Sequence, residues 1–177
     1  MTKYNSKELR KMEPVEEEIV QLKRNPIYFI LDEVLDTYNI GSMFRLGDAV
    51  GVTKIYLCGN MEYPPSSRIH KSAVGTENWV PWEKVDSTME LINRLKKEGI
   101  QTIAVEQDTR AISYQLLDTK VQFPCAIIVG HESDGIKKEV LDEVDLIVEL
   151  PMYGINKSAN VWGTAAVISY KVLENFK

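Results

Sequence analysis

The chain alternates between short, unbroken apolar runs and segments in which apolar residues recur every three or four positions. The apolar runs predict buried strands, and the intervals of three or four predict helices. The predicted strands are 27–31, 54–58, 100–105, 125–129 and 146–150, and the predicted helices are 39–50, 87–99, 136–144 and 158–174. Residues 59–78 are predicted to be a long loop. This alternation is typical of an α/β fold in which a mostly parallel sheet carries helices on both faces.

The first 26 residues differ from the rest of the chain. Residues 6–24 are highly charged, and their apolar positions recur at intervals that predict a helix with one apolar stripe. Pro26 is expected to end this helix. The total of 177 residues leaves room for one sizeable core. We therefore predict a helical extension over 1–26 and a single domain over 27–177.

Charge is distributed unevenly along the chain. The 21 basic and 26 acidic residues give a formal net charge of −5, which excludes a strongly basic protein that coats nucleic acid. Residues 1–75 contain equal numbers of both, so we expect any polyanion to bind the N-terminal half. No apolar run is long enough to span a membrane, and the N-terminus lacks a signal-peptide core. We therefore expect a cytoplasmic protein that does not bind membranes.

The cysteines and histidines give little support to a thiol or metal site. Cys58 and Cys125 lie within apolar runs, which favours small buried side chains in strands over a disulfide or a catalytic thiol. His70 and His131 are the two histidines, and the chain has no HxxH or CxxC spacing. We therefore expect no bound metal.

Ligands of parallel α/β sheets bind beyond the carboxyl ends of the strands, so the segments after the predicted strands hold the candidate residues. After the first strand, Asn39 is suited to be a helix N-cap. Arg45 either reaches back towards a phosphate near the helix start or is an ordinary surface arginine. After the second strand, Arg68, His70 and Lys71 form a basic cluster among hydroxyl groups, with aromatic residues nearby. Such a cluster suits RNA, although a solvated loop has the same composition.

Two later strand ends also contain polar candidates. Glu132 follows the strand 125–129, where its carboxylate could accept hydrogen bonds from the neighbouring backbone or from Asn39. A glutamate near a helix start is also stabilising without any function. Ser158 is predicted to be the N-cap of the last helix. Asn160 then falls in the first turn, where asparagine is unfavourable, which suggests a function for its amide.

The order of these segments resembles the SpoU/TrmH class of SPOUT RNA methyltransferases. The three matching motifs are NIGSMFR (39–45), VGHESDGI (129–136) and LPMYGINKSANV (150–161). The linking segment KSAVGTENWVPW (71–82) is also similar to the small-residue motif of that class. Each motif alone is a weak signal, whereas all three in order, each after a predicted strand, are specific. The resemblance covers about residues 27–174.

The resemblance implies a C-terminal trefoil knot, which holds S-adenosylmethionine, and the methylation of a ribose 2'-OH in RNA by a homodimer. The cofactor-binding residues that it implies are Val105, Glu106, Gln107, Gly130, Leu150, Met152, Ser158 and Ala159. The catalytic residues that it implies are Asn39, Arg45, Glu132, Ser158 and Asn160. Arg45 matches the catalytic arginine of the class, and we expect Asn39 and Glu132 to hold both Arg45 and the geometry of the loops. With Arg68, His70 and Lys71, Arg45 also forms the expected RNA-binding set.

The chain departs from the pattern of the class at His131, Ala159 and Trp162, which changes the expected rim of the cofactor pocket. Three alternatives remain: a base-methylating SPOUT enzyme, a non-catalytic RNA-binding module, and a nucleotide-dependent Rossmann-like enzyme. The absence of G-x-G-x-x-G and G-x-x-x-x-G-K-[ST] argues against the last of these. The short, acidic chain slightly favours tRNA over rRNA, because a compact dimer can recognise the shape of an RNA.

Overall fold

A computed structural model describes residues 4–176, so the first three residues of the predicted extension and Lys177 lie outside the described part. The strands are β1 (Asn25–Asp32), β2 (Val52–Cys58), β3 (Trp82–Val85), β4 (Gln101–Val105), β5 (Ile112–Ser113), β6 (Cys125–Val129) and β7 (Leu146–Glu149). The α-helices are α1 (Ser6–Leu9), α2 (Glu16–Gln21), α3 (Thr37–Val50), α4 (Ser67–Ala73), α5 (Thr88–Lys97), α6 (Lys138–Glu143) and α7 (Val161–Glu174). Two 3₁₀ helices span Thr76–Asn78 and Tyr114–Thr119.

The seven strands form one sheet in the order β3-β2-β1-β6-β4-β7-β5, and every neighbouring pair is parallel. The predicted α/β fold with a mostly parallel sheet is therefore confirmed. The trefoil knot stays a prediction. β3 and β5 were not predicted from the sequence. Both lie at the edges of the sheet, where a strand is short and does not need an unbroken apolar run.

The sheet buries apolar side chains on both faces. Successive residues of a strand point to opposite faces, and the central strand β1 contributes to both. Phe29 and Leu31 pack in one cluster with α3 and α7, whereas Ile30 packs in a second cluster with α5 and α6. The prediction of helices on both faces is confirmed.

Helices α3 and α4 pack side by side on the first of these faces. A Cβ atom at Gly41 would lie 2.0 Å from Oγ of Ser72 and 2.6 Å from the backbone nitrogen of Ala73. Only glycine allows this approach. Helix α4 and the 3₁₀ helix that follows it lie within residues 59–78, so the prediction of a long loop there is wrong. The Pro64-Pro65 pair and the polar composition hid a helix that buries only Ile69 and Ala73.

The N-terminal extension contains two short helices, α1 and α2, instead of the single predicted helix over 6–24. Asn5 caps α1 by accepting hydrogen bonds from the backbone of Lys7 and Glu8. Neither helix buries a residue completely. Pro26 does not end a helix, since it lies inside β1.

Candidate active site

The carboxyl ends of β1, β6, β4 and β7 lie next to one another, because these strands are consecutive neighbours in the sheet. Along the chain, β1 is followed by its neighbour β2 on one side, whereas its neighbour on the other side, β6, comes much later. Such a change of direction in the strand order is the usual place for a ligand site in a parallel sheet. The segments that leave these strands contain the residues of the three sequence motifs.

Hydrogen bonds join three of the predicted site residues, although these are far apart in sequence. Nδ2 of Asn160 donates to Oδ1 of Asn39 at 3.0 Å, and Nδ2 of Asn39 donates to Oε1 of Glu132 at 2.9 Å. The same carboxylate accepts from the backbone nitrogens of Leu35 at 3.1 Å and Asp36 at 3.0 Å. We call these three side chains the amide–carboxylate network. It ties together the start of α3, the turn after β6 and the start of α7.

Glu132 is an anion in this network. Burial disfavours its charged form, but the hydrogen bonds from Asn39 and from the backbone of Leu35 and Asp36 outweigh burial and hold the pKa of Glu132 below its usual value. At neutral pH the carboxylate can therefore only accept hydrogen bonds. It is suited to holding three segments in place and not to donating a proton.

The start of α3 differs from the predicted one. Its N-cap is Asp36, whose Oδ1 accepts a hydrogen bond from the backbone of Tyr38 at 2.8 Å. The prediction that Asn39 is the N-cap is therefore wrong. Asn39 lies in the first turn of the helix and is buried, which directs its amide to Glu132 instead of to its own backbone.

The start of α7 also differs. Asn160 is the N-cap, with its Oδ1 accepting from the backbone of Trp162 at 3.0 Å, so the prediction of Ser158 in this position is wrong. This bond leaves Nδ2 of Asn160 free to donate to Asn39. Ser158 is exposed, and its backbone nitrogen and Oγ both contact Oδ1 of Asn156, at 3.1 and 3.3 Å. Ser158 takes no part in the network.

The turn after β6 depends on Glu106 and on two glycines. Oε2 of Glu106 accepts from the backbone of Ile136, and Oε1 accepts from the backbone of Gln107, both at 2.9 Å. Gly135 has a φ of +68°, and a Cβ there would lie 2.3 Å from Oε2 of Glu106. A Cβ at Gly130 would lie 2.6 Å from the backbone of Gly135. The carboxylate of Glu106 therefore stabilises the backbone of the turn after β6 and of the segment after β4.

His131 explains how this chain departs from the motif pattern without losing the turn. Its Nδ1 accepts hydrogen bonds from the backbone nitrogens of Ser133 at 3.1 Å and Asp134 at 3.2 Å. A single imidazole nitrogen that accepts two backbone N–H groups stabilises this turn. The proton of the neutral ring is accordingly assigned to Nε2.

A cleft of about 190 Å³ opens between these segments. All eight residues predicted to bind the cofactor line it: Val105, Glu106, Gln107, Gly130, Leu150, Met152, Ser158 and Ala159. His131, expected at the rim of the pocket, also lines it, and lining residues that sequence reasoning missed are Val129, Ser133, Gly135, Glu149, Lys157, Val161 and Thr164. Glu132 reaches the cleft as well, so the network and the cleft share a wall. Membership of the motifs 129–136 and 150–161 was the signal that could have identified most of the additional residues, whereas Glu149 and Thr164 lie outside them.

Arg45 lies apart from the network. It is exposed in the middle of α3 and borders a second, shallow cavity with Tyr38 and with Trp162 of α7. Tyr38 lies two helical turns before Arg45 and shares its face of the helix. Within residues 4–176, no hydrogen bond or ion pair joins Arg45 to Asn39 or Glu132. Asn39 and Glu132 therefore make no direct contact with Arg45, whereas they do join the loops around the site.

The family model described as the SpoU rRNA Methylase family matches residues 26–170, which is most of the chain. The chain belongs to the SpoU rRNA methylase family. Sequence comparison gives a similar result, with a tRNA (guanosine(18)-2'-O)-methyltransferase from Borreliella burgdorferi that is 26% identical over 158 residues. That match covers 89% of this chain and 70% of the relative.

A 23S rRNA (guanosine-2'-O-)-methyltransferase from Vibrio parahaemolyticus is 28% identical over 145 residues, covering 82% of this chain but only 58% of the relative. Among solved structures, an AdoMet-bound rRNA methyltransferase from Sinorhizobium meliloti superposes with a TM-score of 0.79 at 22% identity. The superposition covers 96% of this chain and 60% of the Sinorhizobium meliloti chain. This likeness shows the fold alone. The SpoU family thus includes relatives that are named for tRNA and for rRNA.

The basic residues predicted to bind RNA in this SpoU family member lie on or beside α4. Arg68 and Lys71 are exposed, and Arg68 has Oε2 of Glu62 at 3.9 Å. His70 is half-buried, and its Nδ1 pairs with Oε1 of Glu77. The basic cluster is therefore partly neutralised, and two cationic side chains remain available on the surface of α4.

Thiol chemistry is disfavoured in this SpoU family member. Cys58 and Cys125 are fully buried in β2 and β6, as predicted, and burial raises the pKa of each thiol to about 12. Within residues 4–176, no three side chains of His, Cys, Asp or Glu cluster as a metal site. In the same part of the chain, every helix is too short or too polar to cross a bilayer.

Proposed function

We propose that the chain transfers a methyl group from S-adenosylmethionine to a ribose 2'-OH of RNA. The observation that carries this proposal is the amide–carboxylate network, which shares a wall with the cleft and begins on the helix that exposes Arg45. The similarity to tRNA and 23S rRNA 2'-O-methyltransferases supports the same activity.

The residues that line the cleft suit S-adenosylmethionine in polarity and charge. Val105, Leu150 and Met152 offer apolar surface to a flat base, and Ala159 leaves space at the rim. Glu149 lines the cleft without a hydrogen bond or ion pair to another residue in the described range, so its carboxylate can attract a cationic ligand. S-adenosylmethionine supplies, when bound, an electrophilic methyl group on a positively charged sulfur. Calorimetry with S-adenosylmethionine and its demethylated product tests this fit.

Arg45 is proposed to bind a phosphate of the RNA next to the target ribose. Its guanidinium has a planar fork of donors that suits phosphate oxygens, and it stays protonated at neutral pH. A phosphate beside the guanidinium would strengthen that protonated state, which argues against Arg45 as a general base. The proton of the 2'-OH would instead pass to a phosphate oxygen or to water. Orientation of the ribose is the larger contribution, because alignment can lower a barrier by about 7–11 kcal/mol.

We also propose that the active form is a homodimer. Several large apolar side chains in the segments that follow β1 and β7 are exposed: Leu35 at 53%, Tyr38 at 58%, Tyr153 at 91% and Ile155 at 104%. A Cβ added to Gly163 of α7 would meet no atom within 4 Å, so this small residue does not serve packing within the chain. A second subunit would cover these side chains and complete the RNA groove. Sedimentation as a monomer at micromolar concentration would contradict this proposal.

The decisive experiment combines the protein with labelled S-adenosylmethionine and with total tRNA or total rRNA from a strain that lacks the modification. Transfer to a 2'-OH makes the adjacent phosphodiester resistant to alkali, whereas methylation of a base does not. We expect label in alkali-resistant dinucleotides, with tRNA slightly favoured over rRNA. Because its substrates would be mature or ribosomal RNAs, the enzyme is expected in the cytoplasm.

The matched variant is Arg45→Lys, which keeps the positive charge and removes the planar fork. We expect it to lose most of its turnover while it binds S-adenosylmethionine as the wild type does, because Arg45 lies outside the cleft lining. Near-normal turnover of this variant would remove Arg45 from the reaction. Label found only in bases would replace the proposed activity with base methylation.

A further inference from the structure

A second groove lies outside the cleft, between the N-terminal extension and α4. Its volume is about 570 Å³, which is in the range of sites that hold a small ligand. Arg10, Lys11 and Glu13 of the extension form one wall, and His70 with Glu77 and Trp82 form the other. The three sequence motifs do not include this groove, and none of its wall residues reaches the cleft.

The position of the extension is built into the fold. Gly75 has a φ of +97°, and a Cβ there would lie 2.3 Å from the carbonyl oxygen of Leu9. Only glycine allows the backbone of the extension to approach so closely. The ring of Tyr4 also packs on Trp79, with ring centroids 5.9 Å apart. The extension is thereby seated against α4 and the following 3₁₀ helix, with Arg10 and Lys11 directed to the groove.

Glu77 is the group in the groove that most needs a ligand. The residue is 6% exposed, its Oε1 pairs with Nδ1 of His70, and its buried Oε2 has no hydrogen-bond partner among residues 4–176. A buried carboxylate oxygen without a donor is costly, because it loses its hydration without replacement. The groove therefore contains an acceptor that a bound molecule with an O–H or N–H group would satisfy.

The remaining wall of the groove suits a nucleotide. Arg10 and Lys11 are exposed cations that attract phosphate, and Trp82 offers part of its flat ring, with the Tyr63 ring 6.2 Å away. An acidic peptide would also pair with the cations, but it would bring carboxylates next to Glu77 and would offer no ring to stack. A nucleotide supplies all three complements: a phosphate, a flat base, and a hydroxyl or amino donor.

We propose that this groove binds a nucleotide of the substrate RNA other than the one that is methylated. The phosphate contacts Arg10 and Lys11, the base stacks on Trp82, and a ribose hydroxyl or base N–H group donates to Glu77. Arg68 and Lys71 are further exposed cations on α4, the helix that contributes His70 to the groove and packs against α3 at Gly41. The N-terminal extension is thus an RNA-binding element. This inference rests on the proposed RNA methyltransferase activity.

The first test is the double variant Arg10→Ala/Lys11→Ala, measured by anisotropy with fluorescent total tRNA and total rRNA from 50 to 300 mM salt. Loss of two phosphate contacts should weaken binding by roughly tenfold and reduce the slope of log affinity against log salt by about 1.5. The control is Lys97→Ala/Lys120→Ala, which makes the same change of charge. Lys97 ends α5 and Lys120 contacts Gln101 at the start of β4, on another part of the surface.

An unchanged salt slope for Arg10→Ala/Lys11→Ala would overturn the proposal that the groove binds RNA. An equal loss of RNA affinity in the control variant would do the same. If the wild type binds neither RNA at any salt concentration, the proposed function fails as well. If it binds and methylates RNA while the first variant behaves as the wild type does, only this inference fails. The side chains of Arg10 and Lys11 are both exposed, so the double variant is expected to fold.

The second test is Glu77→Gln with a single-stranded RNA and the DNA of the same sequence. We expect several-fold weaker binding of RNA by the variant. If the variant loses affinity for RNA only, the donor is the ribose hydroxyl, and if it loses affinity for both, the donor is a base N–H group. Unchanged affinity for both would remove Glu77 from the site. Should Glu77→Gln fail to fold, the double variant decides the proposal alone.

Discussion

The substitution Asn39→Asp tests the amide–carboxylate network most directly. The new side chain has nearly the same shape and can still accept from Asn160, but it faces Oε1 of Glu132 with an oxygen at 2.9 Å instead of a donor. A hydrogen bond to a charged group contributes about 1.5–3 kcal/mol. Two unit charges at 2.9 Å repel by about 6 kcal/mol at an effective dielectric constant of about 20. Rotation or proton uptake relieves part of this repulsion, so we expect a loss of about 3–6 kcal/mol at pH 8.

The effect of pH distinguishes repulsion from a simple loss of contact. In the variant, one proton shared by the two carboxylates raises their folded-state pKa above the unfolded values of about 4. Stability is then retained at low pH and lost as the pH rises through the raised pKa. The deficit against the wild type should therefore shrink towards pH 5 and grow towards pH 8.

Urea denaturation at both pH values measures this deficit, and Asn39→Ala is the control. The alanine variant loses the hydrogen bond to Glu132 and the one from Asn160 without adding a charge, so its deficit should change little between pH 5 and 8. A deficit of Asn39→Asp that is under about 0.5 kcal/mol at pH 8, or that does not change with pH, would refute the account of the network.

Two further predictions concern packing and thiol reactivity. Gly41→Ala should lower the free energy of unfolding by at least about 2 kcal/mol, because the new Cβ would overlap atoms of α4. Gly163→Ala should cost less than Gly41→Ala, because α7 has open space there within the chain and alanine favours helix; equal effects of the two in urea melts would contradict this. Cys58 and Cys125, with a pKa of about 12 each, should resist iodoacetamide at pH 8 in the native state and react in urea. Stoichiometric labelling of the native protein would contradict their burial.

The sequence predicted central strands better than edge strands, for a physical reason. Central strands of a parallel sheet are buried on both faces and show as unbroken apolar runs, as residues 125–129 do. β3 has the sequence WEKV and lies at the edge, so its pattern is that of an exposed segment. Helix α4 was missed because it follows two prolines and buries only two of its seven residues.

The candidate site was predictable in its membership and not in its bonding. Motif order identified Asn39, Glu132 and Asn160, but a motif does not tell which polar residue near a helix start becomes the cap. Both α3 and α7 offered more than one cap of suitable type, and tertiary contacts decided between them. Asp36 caps α3, which leaves Asn39 for Glu132, and Asn160 caps α7 while Ser158 remains at the surface.

The amide–carboxylate network has a consequence for biosynthesis. Its two bonds close sequence separations of 93 and 121 residues, so the last of them cannot form until the final helix has left the ribosome. Closing loops of that length is slow compared with forming local helices. A nascent chain that still lacks Asn160 would therefore carry the exposed cations Arg10, Lys11, Arg68 and Lys71 without an assembled centre. Such a chain could hold RNA before it is competent to modify it.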